Sequence, residues 1–449
     1  MLTNKKRDMT PFDMSRKPVK QSPFLMPLIW GMSFVMTRKF GLKIIHRNMK
    51  QQDMKQRNRK QIKPPYLVIS THQGFSDYYI APLALFPHQA NYVSDMEGFA
   101  AFGEGLYRGI GCIGKRRYVS DYTVVRNIKY ALEQGQSVVI FPESRHANVG
   151  TTAALPGNLG KLAKMMQVPV VMLSVHGSYL ANPFWDEEHT RKTRMEATLE
   201  CIYTKEQLES AAADEIQKTI EEKLQYDEYA WQLEQKIRIS EPNRAEGLHK
   251  VLYQCPVCGK SFETESIGSS LRCRICDASW NLNEYGVLNR KCAQEDQTGC
   301  DPKNYVESEE GIWSNTDEVT IPDWYEWERA QTEQEIRQRI EQDSFEIPYK
   351  VRVEALPNAK GFVSLGEGDL ILNQDAFILK MPDLKLSFPH KTRESVQTEY
   401  NYRGRGACIV LSNRDCCYYI YSEQKDFNPT KLQFAGEYLH QIEKEEKEK

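Results

Sequence analysis

The stretch "STHQGFSDYY", residues 70–79, sets His72 just past an apolar run and Asp77 five positions further on. A carboxylate that holds one ring nitrogen of a histidine leaves the other nitrogen to take a proton from a hydroxyl. On a regular helix, positions five apart differ by about 140° in azimuth, so the two side chains would not share a face. They meet only if His72 lies on a turn before a helix that begins near Ser76. Gly74 would permit that turn and Ser76 would cap the helix. Alone, the pair reads as readily as a surface histidine near an unrelated aspartate. "GFSDY" also begins like a nucleophile elbow around Ser76, but that pattern needs glycine two residues after the serine, where Tyr78 stands.

Three further segments bear on the choice. "VVIFPESRH" ends an apolar run with Phe141-Pro142-Glu143-Ser144-Arg145, "GIGCIGKRR" supplies Lys115, Arg116 and Arg117 after a glycine-rich turn, and "VPVVMLSVHGSY" is another apolar run. Separately, "CPVCGKSFETESIGSSLRCRIC" carries Cys255, Cys258, Cys273 and Cys276 as two Cys-x-x-Cys knuckles fourteen residues apart. Four thiolates so spaced close tetrahedrally around Zn²⁺, a structural site with no open position for catalysis. Cys112, Cys201, Cys292, Cys300, Cys408, Cys416 and Cys417 lack such spacing and read as plain thiols. An odd total of 11 cysteines, four of them spaced as ligands, argues for a reducing, cytoplasmic setting over a disulfide framework.

The elements that must position these residues form an alternating series. "YLVIST", "ANYVS", "SVVIF", "VPVVMLSV" and "ATLECIY" read as strands. "SDYTVVRNIKYALEQG" reads as a helix capped by Ser120 and ended by Gly135, and "NLGKLAKMMQ" as a second helix. Such alternation predicts an α/β layer with a largely parallel sheet, whose sites gather at the carboxyl ends of strands. Residues 205–239 read as one long charged helix. From about residue 345 come short alternating strands, with "GFVSL" and "GDLILN" counted separately, and a closing helix, "NPTKLQFAGEYLHQI".

In order and spacing, the segments from residue 66 to 205 resemble the glycerolipid acyltransferase family, the lysophosphatidic acid acyltransferase group in particular. The resemblance implies that His72 is the general base toward the acceptor hydroxyl and that Asp77 orients it, as in a serine-hydrolase triad. It also implies that Lys115 or Arg116, with Arg145, holds the acceptor phosphate, and that Glu143 organises the glycerol-phosphate pocket within Phe141-Pro142-Glu143-Ser144-Arg145. A local salt bridge is the alternative for Glu143, and a solvated face for the bases. The implied reaction moves a fatty acyl group from acyl-CoA or acyl carrier protein to a lysophospholipid, 1-acylglycerol-3-phosphate giving phosphatidic acid. Thr71 stands where asparagine often precedes the histidine, Ser144 replaces the usual glycine, and Asn158 stands where lysine is common; these departures bear on the head group accepted. The terminal strands with their helix resemble a pleckstrin-homology or GRAM-like domain, implying a lipid or protein docking surface, a stability or dimerisation domain being the alternative.

A length of 449 residues suggests about three domains at ~150 residues each. At 40% hydrophobic and 27% charged residues, the chain is not of the disordered class. The net charge of −2 conceals an asymmetry, since residues 1–65 hold sixteen Lys or Arg against three Asp. Within them, "PFLMPLIWGMSFVM" is uncharged and too short for the ~20 residues that span a bilayer. It reads as an interfacial helix with Phe24, Trp30 and Phe34 among headgroups, or as a helix packed on the core. The expected divisions are a basic segment (1–65), the α/β domain (66–205), a helical connector (206–249), a zinc ribbon (250–290), an acidic linker with a helix (291–345), a mostly-β domain (346–442) and a charged tail (443–449). The expected location is the cytoplasmic, inner face of a membrane, bound peripherally. A zinc-ribbon module for nucleic acid or protein is the rival class. However, residues 250–290 hold five basic against four acidic side chains, not the basic stripe that phosphate tracking needs, so no nucleic-acid partner is expected.

Overall fold

A computed structural model describes residues 8–52, 59–186, 188–291, 318–342 and 345–448. Most of the expected acidic linker, with Cys292 and Cys300, lies outside the described residues.

Nine strands belong to the amino-terminal half: β1 (Lys43–Arg47), β2 (Lys50–Gln52), β3 (Arg59–Gln61), β4 (Leu67–Ser70), β5 (Ala90–Asp95), β6 (Cys112–Lys115), β7 (Ser137–Ile140), β8 (Val170–His176) and β9 (Glu196–Tyr203). Seven of them make one sheet in the order β1-β9-β8-β4-β7-β5-β6, parallel throughout except between β8 and β9. The short runs "LVIS" and "SVVI" are buried at every position because helices cover both faces. The helices are α1 (Met26–Arg38), α2 (Asp77–Ala84), α3 (Met96–Phe102), α4 (Glu104–Gly109), α5 (Tyr122–Glu133), α6 (Leu159–Met166), α7 (Ser178–Ala181), α8 (Lys205–Ser210), α9 (Ala213–Leu224) and α10 (Glu228–Glu234). Leu67, Ile69, Val138 and Ile140 pack with α5, α6 and α9. Val68, Val139 and Val171 face the other way, onto Ile80, Ala81 and Ala84 of α2. Each such aliphatic side chain contributes about 1.5–3 kcal/mol on burial, which makes this layer a stiff platform for the strand ends.

Local details differ from expectation. Asp121, not Ser120, caps α5, its carboxylate accepting from the Thr123 N–H. Residues 205–239 form three helices: Thr204 caps the first, the chain turns extended at Ala211 and Ala212 before the second, and Asp227 supplies a fresh amino-terminal cap for the third. The break before α10 turns Tyr226 inward. The basic segment is also woven into the first domain. Phe12 is buried, Gln21 bonds to Ile110 and Ala90, and β1 pairs with β9. Helix α1 lies on α2, with Trp30 edge-on to Phe86 at 4.9 Å, while Phe24, Leu28 and Phe34 are exposed. Among the described residues, no helix is long and apolar enough to cross a membrane.

The cysteine segment is a five-stranded antiparallel sheet: β10 (Thr264–Ile267), β11 (Ser270–Cys273), β12 (Ser279–Leu282), β13 (Val287–Lys291) and β14 (Glu318–Thr320). It leads into α11 (Ile321–Glu341). The carboxyl-terminal sheet has seven strands: β15 (Glu346–Leu356), β16 (Val363–Asn373), β17 (Ala376–Met381), β18 (Leu384–Pro389), β19 (Gln397–Glu399), β20 (Cys408–Ser412) and β21 (Cys417–Tyr421). Their order is β18-β17-β16-β15-β21-β20-β19, every pair antiparallel, with α12 (Pro429–Glu448) packed on its core. "GFVSL" and "GDLILN" are one strand, β16, continued across a bulge where Gly366 takes φ +99°, a conformation open to glycine. One cluster of Tyr179, Trp185, Trp280, Trp324, Trp327 and Phe434 draws side chains from the α/β domain, the ribbon, α11 and α12.

Candidate active site

The turn between β4 and α2 holds His72 and Asp77, both buried. Asp77 is the first residue of α2, and its Oδ2 accepts from the main-chain N–H groups of Gln73 (2.7 Å) and Gly74 (3.0 Å) while lying 3.3 Å from His72 Nδ1. Ser76 stands at the cap position, but its hydroxyl makes no capping bond. The aspartate closes the turn instead, from inside the helix. Gly74 serves by its size, since an added Cβ would lie 3.3 Å from Ser178 Oγ. On the far side of the ring, the Tyr78 hydroxyl is 3.3 Å from Nε2. Burial raises the Tyr78 phenol well above its ordinary value, so it stays protonated and can donate to or accept from Nε2. An ionised Asp77 can only accept, which puts the ring proton on Nδ1 and leaves Nε2 a lone pair facing the Tyr78 hydroxyl. Burial, reinforced by Arg117 and Lys115, lowers the His72 pKa to about 3, and burial raises that of Asp77 to about 6.

Glu143 follows β7 and is fully buried. Its Oε1 accepts from the His72 N–H at 2.8 Å; its Oε2 accepts from the Ala153 N–H and the Tyr226 hydroxyl, both at 2.9 Å. These partners are all protein donors, and through them Glu143 fixes the main chain of His72. Burial raises its pKa to about 7. Phe141 lies against the His72 ring, centroids 4.5 Å apart. Ser144 takes φ +60°, the left-handed region, which explains why glycine suits this position. Its hydroxyl donates to Pro142 O (3.3 Å) and accepts from Lys115 Nζ (2.6 Å). Lys115 ends β6, and burial lowers its pKa to about 8.

The other bases have carboxyl-terminal partners. Arg116 is buried and donates to Asp415 O (3.0 Å) and Pro357 O (3.4 Å). Arg117 pairs with Asp95 (2.5 Å), Glu97 (3.4 Å) and Glu399 (3.8 Å). Arg145, also buried, lies 3.8 Å from Glu437 of α12, which is shared with Arg329. Thus Lys115 stays beside Ser144, while Arg116 and Arg145 are committed to the carboxyl-terminal domain. Sequence reasoning missed three residues here. Tyr78 and His146 sit within the quoted motifs and could have been weighed as polar groups on the same turns; Tyr226 gave no signal, because the helix break that delivers it went unread.

Residues 9–176 match the family model described as Acyltransferase. This stretch is an acyltransferase domain. The match starts ahead of the motifs, consistent with β1 and the basic segment belonging to the same layer. No curated protein matches the chain. Among solved structures, the chain is similar to the 1-acyl-sn-glycerophosphate (LPA) acyltransferase PlsC from Thermotoga maritima, with 15% identity and a TM-score of 0.34 over 44% of this chain and 76% of that one. A likeness that loose carries no argument about substrate.

Beyond the acyltransferase domain, Cys255, Cys258, Cys273 and Cys276 bring their sulfurs within 4.8 Å of one another. Two of the sulfur pairs are 3.7 Å apart. A tetrahedron with metal–sulfur bonds of ~2.3 Å has edges of ~3.8 Å, so the four thiols fit a closed metal site.

Proposed function

We propose that this protein transfers a fatty acyl group from an acyl thioester, acyl-CoA or acyl carrier protein, to the free hydroxyl of a lysophospholipid, with 1-acylglycerol-3-phosphate as acceptor and phosphatidic acid as product. The observation that carries the reading is the buried His72–Asp77 pair at 3.3 Å with Nε2 left as the basic nitrogen. The acceptor hydroxyl takes the place of the Tyr78 hydroxyl at Nε2 and gives up its proton as its oxygen attacks the thioester carbonyl. Asp77 keeps the ring in the required tautomer and stabilises the imidazolium that forms. Glu143 and Tyr226 hold the loop. Lys115, for which no carboxylate lies within ion-pair distance among the described residues, is the cation placed to meet the acceptor phosphate together with Ser144. Arg116 and Arg145 serve first to bind the domains together, and Arg145 would reach the phosphate only by releasing Glu437.

Cys255, Cys258, Cys273 and Cys276 would hold a structural Zn²⁺, which supplies cohesion to the ribbon and no catalytic step. The exposed Phe24, Leu28 and Phe34 of the α1 region, flanked by Arg38, Lys39, Lys43 and Arg47, favour docking on an anionic membrane face from the cytoplasmic side. The carboxyl-terminal sheet with its helix is read as PH- or GRAM-like in its general plan. The deciding experiment measures transfer of a radiolabelled acyl group to a panel of lysophospholipids, with wild type and H72A. We expect His72-dependent transfer, strongest with 1-acylglycerol-3-phosphate. Equal activity in H72A would overturn the catalytic assignment, and a preference for a zwitterionic acceptor would overturn 1-acylglycerol-3-phosphate as the substrate. Metal analysis of the purified protein tests zinc, with one ion per chain expected.

A further inference from the structure

In the reaction proposed above, the acceptor oxygen bonds to the carbonyl carbon as its proton passes to His72 Nε2, and the carbonyl π electrons move onto oxygen. When the tetrahedral species collapses, the carbon–sulfur bond breaks and the thiolate takes the proton back from His72. One imidazole thus accounts for both proton transfers, and the transient negative charge on the carbonyl oxygen is left needing a donor.

Most donors around His72 are already in use. The N–H of His72 goes to Glu143, and those of Gln73 and Gly74 go to Asp77. Lys115 donates to Ser144 and is assigned to the acceptor phosphate, while the Tyr78 hydroxyl lies against His72 Nε2 until the acceptor takes its place. His146 is different. Its ring centroid is 4.4 Å from that of His72, it is only 7% exposed, and its Nε2 is buried without a hydrogen-bond partner. Phe75 (4.8 Å), Phe184 (5.7 Å) and Tyr78 (6.4 Å) complete a largely aromatic wall around it. Such walls exclude water and strengthen any hydrogen bond made among them. Burial and the neighbouring His72 both hold the imidazole well below its ordinary pKa, so the ring is neutral and has one N–H to give. The neutral ring can carry its proton on either nitrogen; on Nε2 it is a buried donor left orphaned unless a bound molecule satisfies it.

We infer that His146 is a further catalytic residue, whose Nε2–H donates to the thioester carbonyl oxygen as negative charge builds there. The assignment rests on the acyl-transfer reading and adds a second imidazole to it, with a role distinct from that of His72.

Three proteins test it: wild type, H146F and H146Q, each assayed for kcat and for KM toward the acyl donor, with thermal melting of each as the check on folding. Phenylalanine keeps the packing and removes the donor, whereas the glutamine amide can return an N–H near the Nε2 position. We expect H146F to melt near wild type and to lose about 10²-fold in kcat with little change in KM, the usual scale for one oxyanion donor. We expect H146Q to recover a substantial part of that loss. A near-normal kcat in H146F would overturn the inference and leave the His72 reading intact. Equal losses in H146F and H146Q, whatever their melting points, would overturn it in favour of a packing role. Failure of wild type to show any His72-dependent transfer would instead remove the acyl-transfer reading on which it rests.

Discussion

Two buried polar pairs flank the same strand ends and are built in opposite ways. His72 and Asp77 come from one turn, five residues apart, and are oriented by the main chain of that turn. Arg145 and Glu437 come from distant parts of the chain, and they meet only because α12 packs against the acyltransferase domain. Arg116 repeats the second pattern through Asp415 and Pro357, and Arg117 does so in part, adding Glu399 to Asp95 and Glu97 of its own domain. A base can be prepared by a single loop, because it needs one acceptor on one nitrogen. A cluster of guanidinium groups cannot be buried that cheaply, and here the compensating oxygens come largely from another domain.

That contrast can be broken experimentally. The largest effect expected is on the local pair. Replacing the proposed base in H72A should lower kcat by about 10²–10⁴-fold while melting stays near wild type. D77N should follow closely, because an amide no longer enforces the Nδ1–H tautomer; a D77N enzyme with normal kcat would show that orientation is secured elsewhere. For the distant pair the expected effect is on stability. E437Q leaves Arg145 and Arg329 short of their carboxylate and should cost about 3 kcal/mol, read as a lower denaturation midpoint. A rise in turnover of folded E437Q would mean that Arg145, once released, joins the substrate site, and the two pairs would no longer divide so cleanly.

A smaller effect concerns pH. Burial lifts Asp77 to about 6, so as pH falls through that value the carboxylate is neutralised and no longer enforces the Nδ1–H tautomer or stabilises an imidazolium. kcat/KM should hold above that region and decline below it; an acid limb unchanged in D77N would detach it from this pair. The smallest effect expected is at Lys115. Its pKa is lowered to about 8, so its charge is present below that value and lost above it. KM for a phosphate-bearing acceptor should climb on the alkaline side, and K115R should flatten the rise.

Much of the local half of the site could be read directly from residue order. A carboxylate five places after a histidine, with a glycine between, can meet it only across a turn, and the fully buried runs at β4 and β7 announce central strands. The role of Asp77 in closing that turn was less visible, since Ser76 offered itself as the cap. The distant half could not be read. Nothing near "GKRR" or "ESRH" says that Glu399 or Glu437 will arrive opposite them, because that depends on how two domains dock. The three-way break of residues 205–239 escaped for a related reason: charged residues at helical spacing continue smoothly through Tyr226, and its bond to Glu143 joins the Asp227 cap in fixing the turn. Gly366 hid a continuous strand by resembling a loop residue.

The tryptophan cluster carries a consequence for how the molecule is made. Trp185, Trp280 and Trp324 close one interior with walls taken from the catalytic layer, the cysteine sheet and α11, so none of the three is finished until the others are. A protein assembled that way should mature in one step, and if the four cysteines hold a metal, a shortage of it during synthesis should show as fewer native molecules, each of them fully competent.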